Sequence, residues 1–315
     1  MAKNSNRYKN PTWYHKLLLE MLWAVCRTLN YSPRWFRFGL LQPLIVALLR
    51  VLRYRRKTIL SNLEHSFPEK SHAEIVAIMR GYYRTLGEVI VNTICLAGAT
   101  PERDGDVILW EDWQKHIERN KGRDWIAMSS HFGCWEYYPL WGWTDPDCQF
   151  ISVYHPLKSV VFELFYQRLR RFAANITPVT MAEAVRYYLR HRSPEYTTVL
   201  GLVSDQSPRL QADTKWIDFL NRKTAFIEGG EHIGMKFGVP IYFTDISRVA
   251  AGRYSCRFIE LYDGKEEVEP GAIIRRYAEN LERMIRREPE LWMWSHKRWK
   301  HSPDKQMERF GKTTL

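Results

Sequence analysis

The sequence has few cysteines, and they show no metal-binding pattern. Its five cysteines lie far apart, and no two of them form a C-x-x-C pair. Zinc sites and disulfide frameworks normally bring cysteines together at short, regular spacings. The sequence therefore predicts neither a structural metal nor a disulfide scaffold, and it indicates a reduced chain that faces the cytoplasm.

Long uninterrupted apolar runs and the layout of a signal peptide are also lacking. Residues 17–29 and 39–52 are mainly apolar, but charged or polar side chains interrupt both stretches. A confident membrane span needs about 20 uninterrupted apolar residues. We therefore predict helices that lie in, or dip into, one leaflet of a membrane, with a single N-terminal span as the alternative.

Basic and aromatic residues are abundant instead. The formal net charge is +12, and the chain contains 13 Trp and 17 Tyr. Residues 34–57 include seven basic side chains and no acidic one. Each basic residue near an anionic membrane contributes about 1 kcal/mol, and Trp and Tyr favour the bilayer interface. This pattern favours a membrane surface over nucleic acid as the partner, because the sequence shows no nucleic-acid-binding module. The other interpretation of the N-terminal segment is a pair of buried helices with a solvated basic face.

The domain organisation follows from these patterns. No internal repeat or Gly/Ser-rich linker divides the chain. We assign residues 1–57 to membrane-associating helices, 58–300 to one main domain and 301–315 to a polar, loose tail. Ser71 and Glu74 form a capping-box pattern, which predicts a helix that extends to about Leu96.

Short apolar runs alternate with helical patterns along the main domain. This alternation predicts an α/β fold with a mostly parallel central sheet flanked by helices. The predicted strands are 125–130, 149–154, 197–204, 240–247 and 254–261. The predicted helices are 137–143, 159–173, 181–190, 230–237 and 272–287.

Two polar clusters follow predicted strands. His131 and Glu136 come after the first strand, and Asp205 and Gln206 follow the third. Ligands of parallel sheets bind outside the carboxyl ends of the strands, so both clusters are expected at one edge. On one continuous helix, His131 and Glu136 would point about 140° away from each other, because they are five residues apart. Gly133 permits a turn between them, which would let the two side chains meet.

These side chains suit acyl transfer to a hydroxyl group. A neutral imidazole can remove the hydroxyl proton near pH 7, and a carboxylate on its other nitrogen fixes the tautomer. We therefore predict His131 as the general base and Glu136 as the carboxylate that orients it. Asp205 either contacts a substrate or caps the next helix, and the sequence leaves both interpretations open.

Four segments together resemble the bacterial lipid A biosynthesis acyltransferases, the lauroyl and myristoyl transferases. His131 and Glu136 match that family's H-x4-D/E motif. The other three segments are residues 55–68, residues 204–208 with 216–220, and residues 292–300. The glycerolipid acyltransferases fit less well, because their motif usually begins with Asn and ends with Asp, where this chain has Ser130 and Glu136.

The resemblance implies a donor, an acceptor and a location. The donor would be an acyl carrier protein thioester, or acyl-CoA, and no metal or resident cofactor would be needed. The acceptor would be a hydroxyl on a 3-hydroxyacyl chain of a phosphorylated glucosamine disaccharide. The enzyme would work at the cytoplasmic face of the bacterial inner membrane. The charge of +12 suits both an acidic carrier protein and an anionic lipid.

Several further residues are candidates for substrate binding. His155 stands where many relatives carry Arg or Lys, and it either contacts substrate or belongs to a plain loop. Arg170 and Arg171, with Arg168, either touch phosphate or carrier protein or form a solvated helix face. Asp205 and Gln206 complete the candidate set. In the C-terminal block, Trp294 is expected to pack as a clasp, whereas Lys297 and Arg298 are expected at the membrane rim.

Two other functions remain open at this point. One is acylation of another polar lipid, such as a lysophospholipid or an amino-lipid. The other is a non-catalytic basic protein that coats a membrane or binds nucleic acid.

Overall fold

A seven-stranded sheet follows a series of N-terminal helices in the computed structural model, which describes residues 10–171 and 173–313. The α-helices are α1 (Trp13–Asn30), α2 (Arg34–Phe36), α3 (Gln42–Val51), α4 (Arg56–Ser66), α5 (His72–Cys95), α6 (Pro101–Asp104), α7 (Trp113–Arg119), α8 (Trp141–Thr144), α9 (Val160–Leu169), α10 (Ala184–His191), α11 (Gly229–Phe237), α12 (Ala272–Arg287) and α13 (Pro303–Phe310). A π-helical turn, Arg37–Leu41, joins α2 to α3.

The strands form one large sheet and one small hairpin. They are β1 (Ile108–Trp110), β2 (Trp125–Ser129), β3 (Cys148–Tyr154), β4 (Ile176–Thr180), β5 (Thr197–Val203), β6 (Ile217–Phe219), β7 (Arg222–Thr224), β8 (Ile241–Ala250) and β9 (Arg253–Tyr262). The large sheet has the order β1-β9-β8-β2-β5-β3-β4. All its neighbours pair in parallel except the β8–β9 hairpin. The mostly parallel α/β fold is thus confirmed.

All five predicted strands are present, as β2, β3, β5, β8 and β9. The prediction missed β1, β4 and the β6–β7 hairpin. The β4 sequence contains Pro178, which cannot donate a hydrogen bond to the ladder and so weakens the strand pattern. The structure places β4 at the edge of the sheet, where a proline is tolerated.

The predicted helices of the main domain are present except 137–143, and α9 ends at Leu169, before the predicted limit of 173. The capping box of α5 is present: the Ser71 hydroxyl accepts from the Glu74 backbone N–H, and Glu74 accepts in return. The predicted helix 137–143 is instead a 3₁₀ turn, Trp135–Leu140, followed by the short α8. The C-terminal tail is not loose throughout, because α13 packs through Gln306, whose Oε1 accepts a 2.7 Å hydrogen bond from the Trp216 indole.

One face of the sheet is covered by an aromatic cluster that surrounds a histidine. The His116 ring stacks on Phe258 at 4.2 Å and meets the edges of Trp125, Trp141 and Tyr242. Burial lowers the pKa of His116 to about 3, with a smaller contribution from the nearby Arg119 charge. The cluster therefore holds this imidazole in its neutral form.

The buried His116 is expected to make the fold sensitive to acid. The unfolded chain binds a proton at about pH 6.5, whereas folded His116 does so only near its lowered pKa. Its contribution to stability is therefore complete above pH 6.5 and is lost as the pH falls. Between pH 6 and 4, the free energy of unfolding of the His116→Gln variant should fall less steeply than that of wild type, by up to about 1.4 kcal/mol per pH unit. Urea titrations followed by tryptophan fluorescence would measure both slopes, and equal slopes would contradict the assignment.

The N-terminal helices expose apolar stripes. α1 contacts α5 and α9, and α3 contacts α5, yet each helix also presents large apolar side chains to the outside. They recur at four-residue spacing: Trp13, Leu17, Met21 and Val25 in the first stripe, and Leu40, Leu44, Leu48 and Leu52 in the second. Among the described helices, none alone is long and apolar enough to span a membrane; residues 34–51 and 56–66 pass that test only as a pair bent by 91°.

Candidate active site

The carboxyl ends of β2 and β5 bring the two polar clusters together. The strands are parallel neighbours with Ser129 opposite Val203, and the Ser204 backbone N–H donates to the Ser129 carbonyl at 3.0 Å. His131 and Asp205 follow two residues after these paired ends, so they leave the sheet side by side. The predicted convergence of the clusters at one sheet edge is confirmed.

The carboxylate bonded to His131 belongs to Asp205. His131 Nδ1 lies 2.7 Å from Asp205 Oδ1, and the His131 backbone N–H donates to Oδ2 at 3.0 Å. The Trp292 indole N–H also donates to Oδ2, at 2.7 Å. An ionised carboxylate only accepts hydrogen bonds, so the proton of the neutral ring lies on Nδ1 and leaves Nε2 as an acceptor. The Gln206 carboxamide nitrogen lies 3.1 Å from that Nε2 atom.

The environment of Asp205 keeps it ionised although it is only 3% exposed. Burial by itself would raise the pKa of Asp205. The charge and hydrogen bond of His131, together with the Trp292 indole and the His131 backbone N–H, outweigh burial and lower the pKa below its usual value. His131 is partly accessible, with 16% of its side chain exposed. A buried carboxylate thus supports an imidazole that a substrate can reach.

The predicted pairing of Glu136 with His131 is wrong, because Glu136 pairs with Arg170. Arg170 Nε and Nη2 lie 2.9 and 2.6 Å from the two Glu136 oxygens, and both side chains are largely buried. The chain does turn at Gly133, whose φ of +54° suits glycine. The 3₁₀ turn that follows places the Trp135 ring against His131, at 5.1 Å. Glu136, the next residue, points elsewhere and meets α9's C-terminus.

Arg170 is therefore not part of a solvated helix face. Its guanidinium lies near the rings of Tyr154 and Tyr166, at 5.3 and 5.1 Å from their centroids. Burial alone would lower the pKa of Arg170, but the Glu136 carboxylate outweighs this and raises it. A bidentate, aromatic-lined pair of this kind fixes the end of α9 beside the sheet edge.

The other predicted binding residues lie apart from His131. His155 is exposed, and its Nδ1 contacts the neighbouring Pro156 carbonyl at 3.1 Å. Arg171 is exposed at the end of α9. Arg168 pairs with Glu20 of α1 at 2.8 Å. In the described part of the chain, no contact joins these residues to the His131–Asp205 pair.

A C-terminal segment, residues 291–299, completes the site; we call it the strap. It pairs antiparallel with the residues after β2: Phe132 bridges Trp292, and the Met293 N–H donates to the His131 carbonyl at 3.1 Å. Local reasoning missed the bond from Trp292 to Asp205. The only signal for it was the aromatic and basic C-terminal block, which predicted no contact partner.

The strap also changes the interpretation of the C-terminal basic residues. Trp294 is fully buried, in agreement with the predicted clasp, and Lys297 is exposed. The prediction for Arg298 was wrong: it is 3% exposed and donates to the Ala225 carbonyl at 2.6 Å. Burial, partly offset by Asp205, lowers the pKa of Arg298 to about 10. His296 Nε2 faces the Ser207 N–H at 3.4 Å, which ties the strap to the loop after β5.

In residues 10–171 and 173–313, no group of three or more His, Cys, Asp or Glu side chains is arranged to hold a metal ion. A comparison with curated proteins found no match. A family model described as bacterial lipid A biosynthesis acyltransferase matches residues 1–301. The chain therefore belongs to the bacterial lipid A biosynthesis acyltransferase family and is an enzyme of the acyltransferase class.

Proposed function

We propose that this protein transfers a fatty acyl chain from an acyl carrier protein thioester to a hydroxyl of a lipid A precursor. The observation that supports the proposal is the His131–Asp205 pair at the sheet edge, in which a buried carboxylate is bonded to one nitrogen of a partly exposed imidazole. Such an imidazole can remove the acceptor hydroxyl proton. The family membership supplies the reaction class.

In this proposal His131 is the general base and Asp205 is its positioning residue. Asp205 accepts a hydrogen bond from the protonated Nδ1, so that Nε2 keeps the lone pair that accepts the hydroxyl proton, and it stabilises the imidazolium that forms. Glu136 and Arg170 act as a pair that shapes the adjacent wall of the site. No resident metal or cofactor takes part in these steps, and the thioester is a co-substrate.

We further propose that the protein works on the cytoplasmic face of the bacterial inner membrane. The apolar stripe of α1 and the stripe of Leu40, Leu44, Leu48 and Leu52 suit insertion into one leaflet. The seven basic side chains of residues 34–57 are suited to anionic lipid headgroups. In a membrane-bound position, the lipid acceptor would reach the site while it stays in the bilayer. An acidic carrier protein would approach from the cytoplasm.

Mass spectrometry of membrane lipids would test the proposed acceptor. Deletion of the gene in the source bacterium is expected to remove one acyl chain from lipid A, and a plasmid copy is expected to restore it. Purified protein should then acylate the lipid A precursor of the deletion strain with acyl carrier protein thioester or acyl-CoA as donor. Unchanged lipid A with altered phospholipids or amino-lipids would contradict the proposed acceptor. Unchanged lipids of every class would contradict the proposed activity.

A further inference from the structure

In the resting structure the reactive nitrogen of His131 is already occupied. Asp205 holds the Nδ1 side of the ring, so Nε2 has a single lone pair available as acceptor. The Gln206 carboxamide nitrogen lies 3.1 Å away and donates to that lone pair. A substrate hydroxyl that gives its proton to Nε2 must therefore take the place of this amide.

The Gln206 side chain can leave while its backbone stays. The flanking backbone is held, because Asp205 is buried and the Ser207 N–H faces His296 Nε2 at 3.4 Å. The Gln206 side chain itself is half-buried. Within the described residues, its contact with His131 is its single hydrogen bond. A rotation of the side chain alone is then enough to open the nitrogen.

We propose that Gln206 is a catalytic residue with two successive hydrogen-bond acceptors. It donates to His131 Nε2 in the free enzyme, and to the oxyanion of the tetrahedral intermediate when the acceptor hydroxyl has displaced it. This proposal rests on the proposed acyl transfer. It assigns to this chain a side-chain donor for the oxyanion, positioned directly after the carboxylate that orients the base.

Acyl transfer passes through a tetrahedral intermediate. The hydroxyl oxygen attacks the thioester carbonyl carbon, a C–O bond forms, and the hydroxyl proton moves to His131 Nε2. The carbonyl π electrons move to the carbonyl oxygen, which accepts a hydrogen bond from the Gln206 N–H. The oxyanion then re-forms the carbonyl, the C–S bond breaks, and the thiolate takes the proton from Nε2. Departure of the ester product lets Gln206 return to Nε2.

The short distances make one side chain sufficient for both tasks. The attacking oxygen must lie within about 3.2 Å of Nε2, on the side where the amide nitrogen now lies. The new C–O bond places the oxyanion only two bonds from that oxygen, so the displaced amide remains beside it. Removal of one preorganised oxyanion donor typically lowers kcat by about 10²- to 10³-fold.

Steady-state kinetics of a Gln206→Met variant would test the proposal. Methionine has a similar length and cannot donate a hydrogen bond. We expect kcat for acyl transfer to the lipid A precursor to fall by about 10²- to 10³-fold. The KM for the acceptor should stay unchanged or fall, because the hydroxyl no longer displaces an amide. The control is Gln42→Met on α3, which removes another half-buried carboxamide, one that donates to the Arg84 carbonyl, and is expected to keep wild-type kinetics.

An unchanged kcat would overturn the proposal, as would a raised acceptor KM with unchanged kcat, which would make Gln206 a binding residue only. Gln206→Leu replaces the methionine variant if the latter does not fold. If wild-type protein acylates no lipid A precursor, the proposed function fails separately. The ¹⁵N resonance of His131 Nε2 then decides the resting contact: a shift in Gln206→Met supports it, and an unchanged resonance overturns it.

Discussion

A His131→Ala variant is expected to transfer acyl groups about 10²- to 10⁴-fold more slowly than wild type, because the variant has no base for the acceptor hydroxyl. The effect should fall on kcat, since the imidazole acts during the chemical step. Rates with saturating thioester and lipid A precursor would measure it. The control is His232→Ala, which removes an exposed histidine of α11 that pairs with Glu228. Near-wild-type turnover by a folded His131→Ala variant would reject the mechanism.

An Asp205→Asn variant should show a comparable fall in kcat for acyl transfer, for a different reason. Oδ2 of Asp205 accepts from two N–H groups, those of the His131 backbone and the Trp292 indole. Asparagine keeps both bonds only if its carbonyl oxygen faces them, and its NH₂ group then faces His131 Nδ1. That arrangement forces the ring proton onto Nε2, which can no longer accept the hydroxyl proton. Histidine ¹⁵N shifts would report the changed tautomer, and an unchanged tautomer would contradict this role for Asp205.

The ion pair between Glu136 and Arg170 is expected to show strong coupling in stability. Their side chains are 6% and 16% exposed, so removal of one partner leaves the other charge buried and unpaired. Glu136→Leu and Arg170→Met should each lower the free energy of unfolding by about 3–5 kcal/mol. The double variant should lose less than either single variant, because two apolar side chains of similar size replace the pair.

Chemical denaturation of the two single variants, the double variant and wild type would complete this cycle. The matched pair is Lys223 and Asp218, an exposed ion pair 3.0 Å apart on the β6–β7 hairpin, for which each truncation should cost no more than about 1 kcal/mol. Additive losses at Glu136 and Arg170 would show that the buried contact carries little coupling energy.

Much of the fold was predictable from local patterns. The apolar runs of β2, β3, β5, β8 and β9 stand out because buried strands of a mostly parallel sheet have few polar side chains. The elements that were missed are short, lie at an edge or contain a breaker. Pro178 weakens the strand pattern of β4, and the polar composition of residues 301–315 gives no clear helix pattern for α13. The buried Gln306 of α13 accepts a hydrogen bond from Trp216.

The sequence by itself determined that His131 and Asp205 lie at one edge of the sheet, because each follows a strand and parallel strands end together. Only the tertiary structure decided which carboxylate serves the imidazole. Glu136 is five residues from His131, but the turn at Gly133 directs it to Arg170, whereas Asp205 is 74 residues away and lies 2.7 Å from the ring. A side chain's direction after a turn depends on packing partners from distant segments, and no local spacing encodes them.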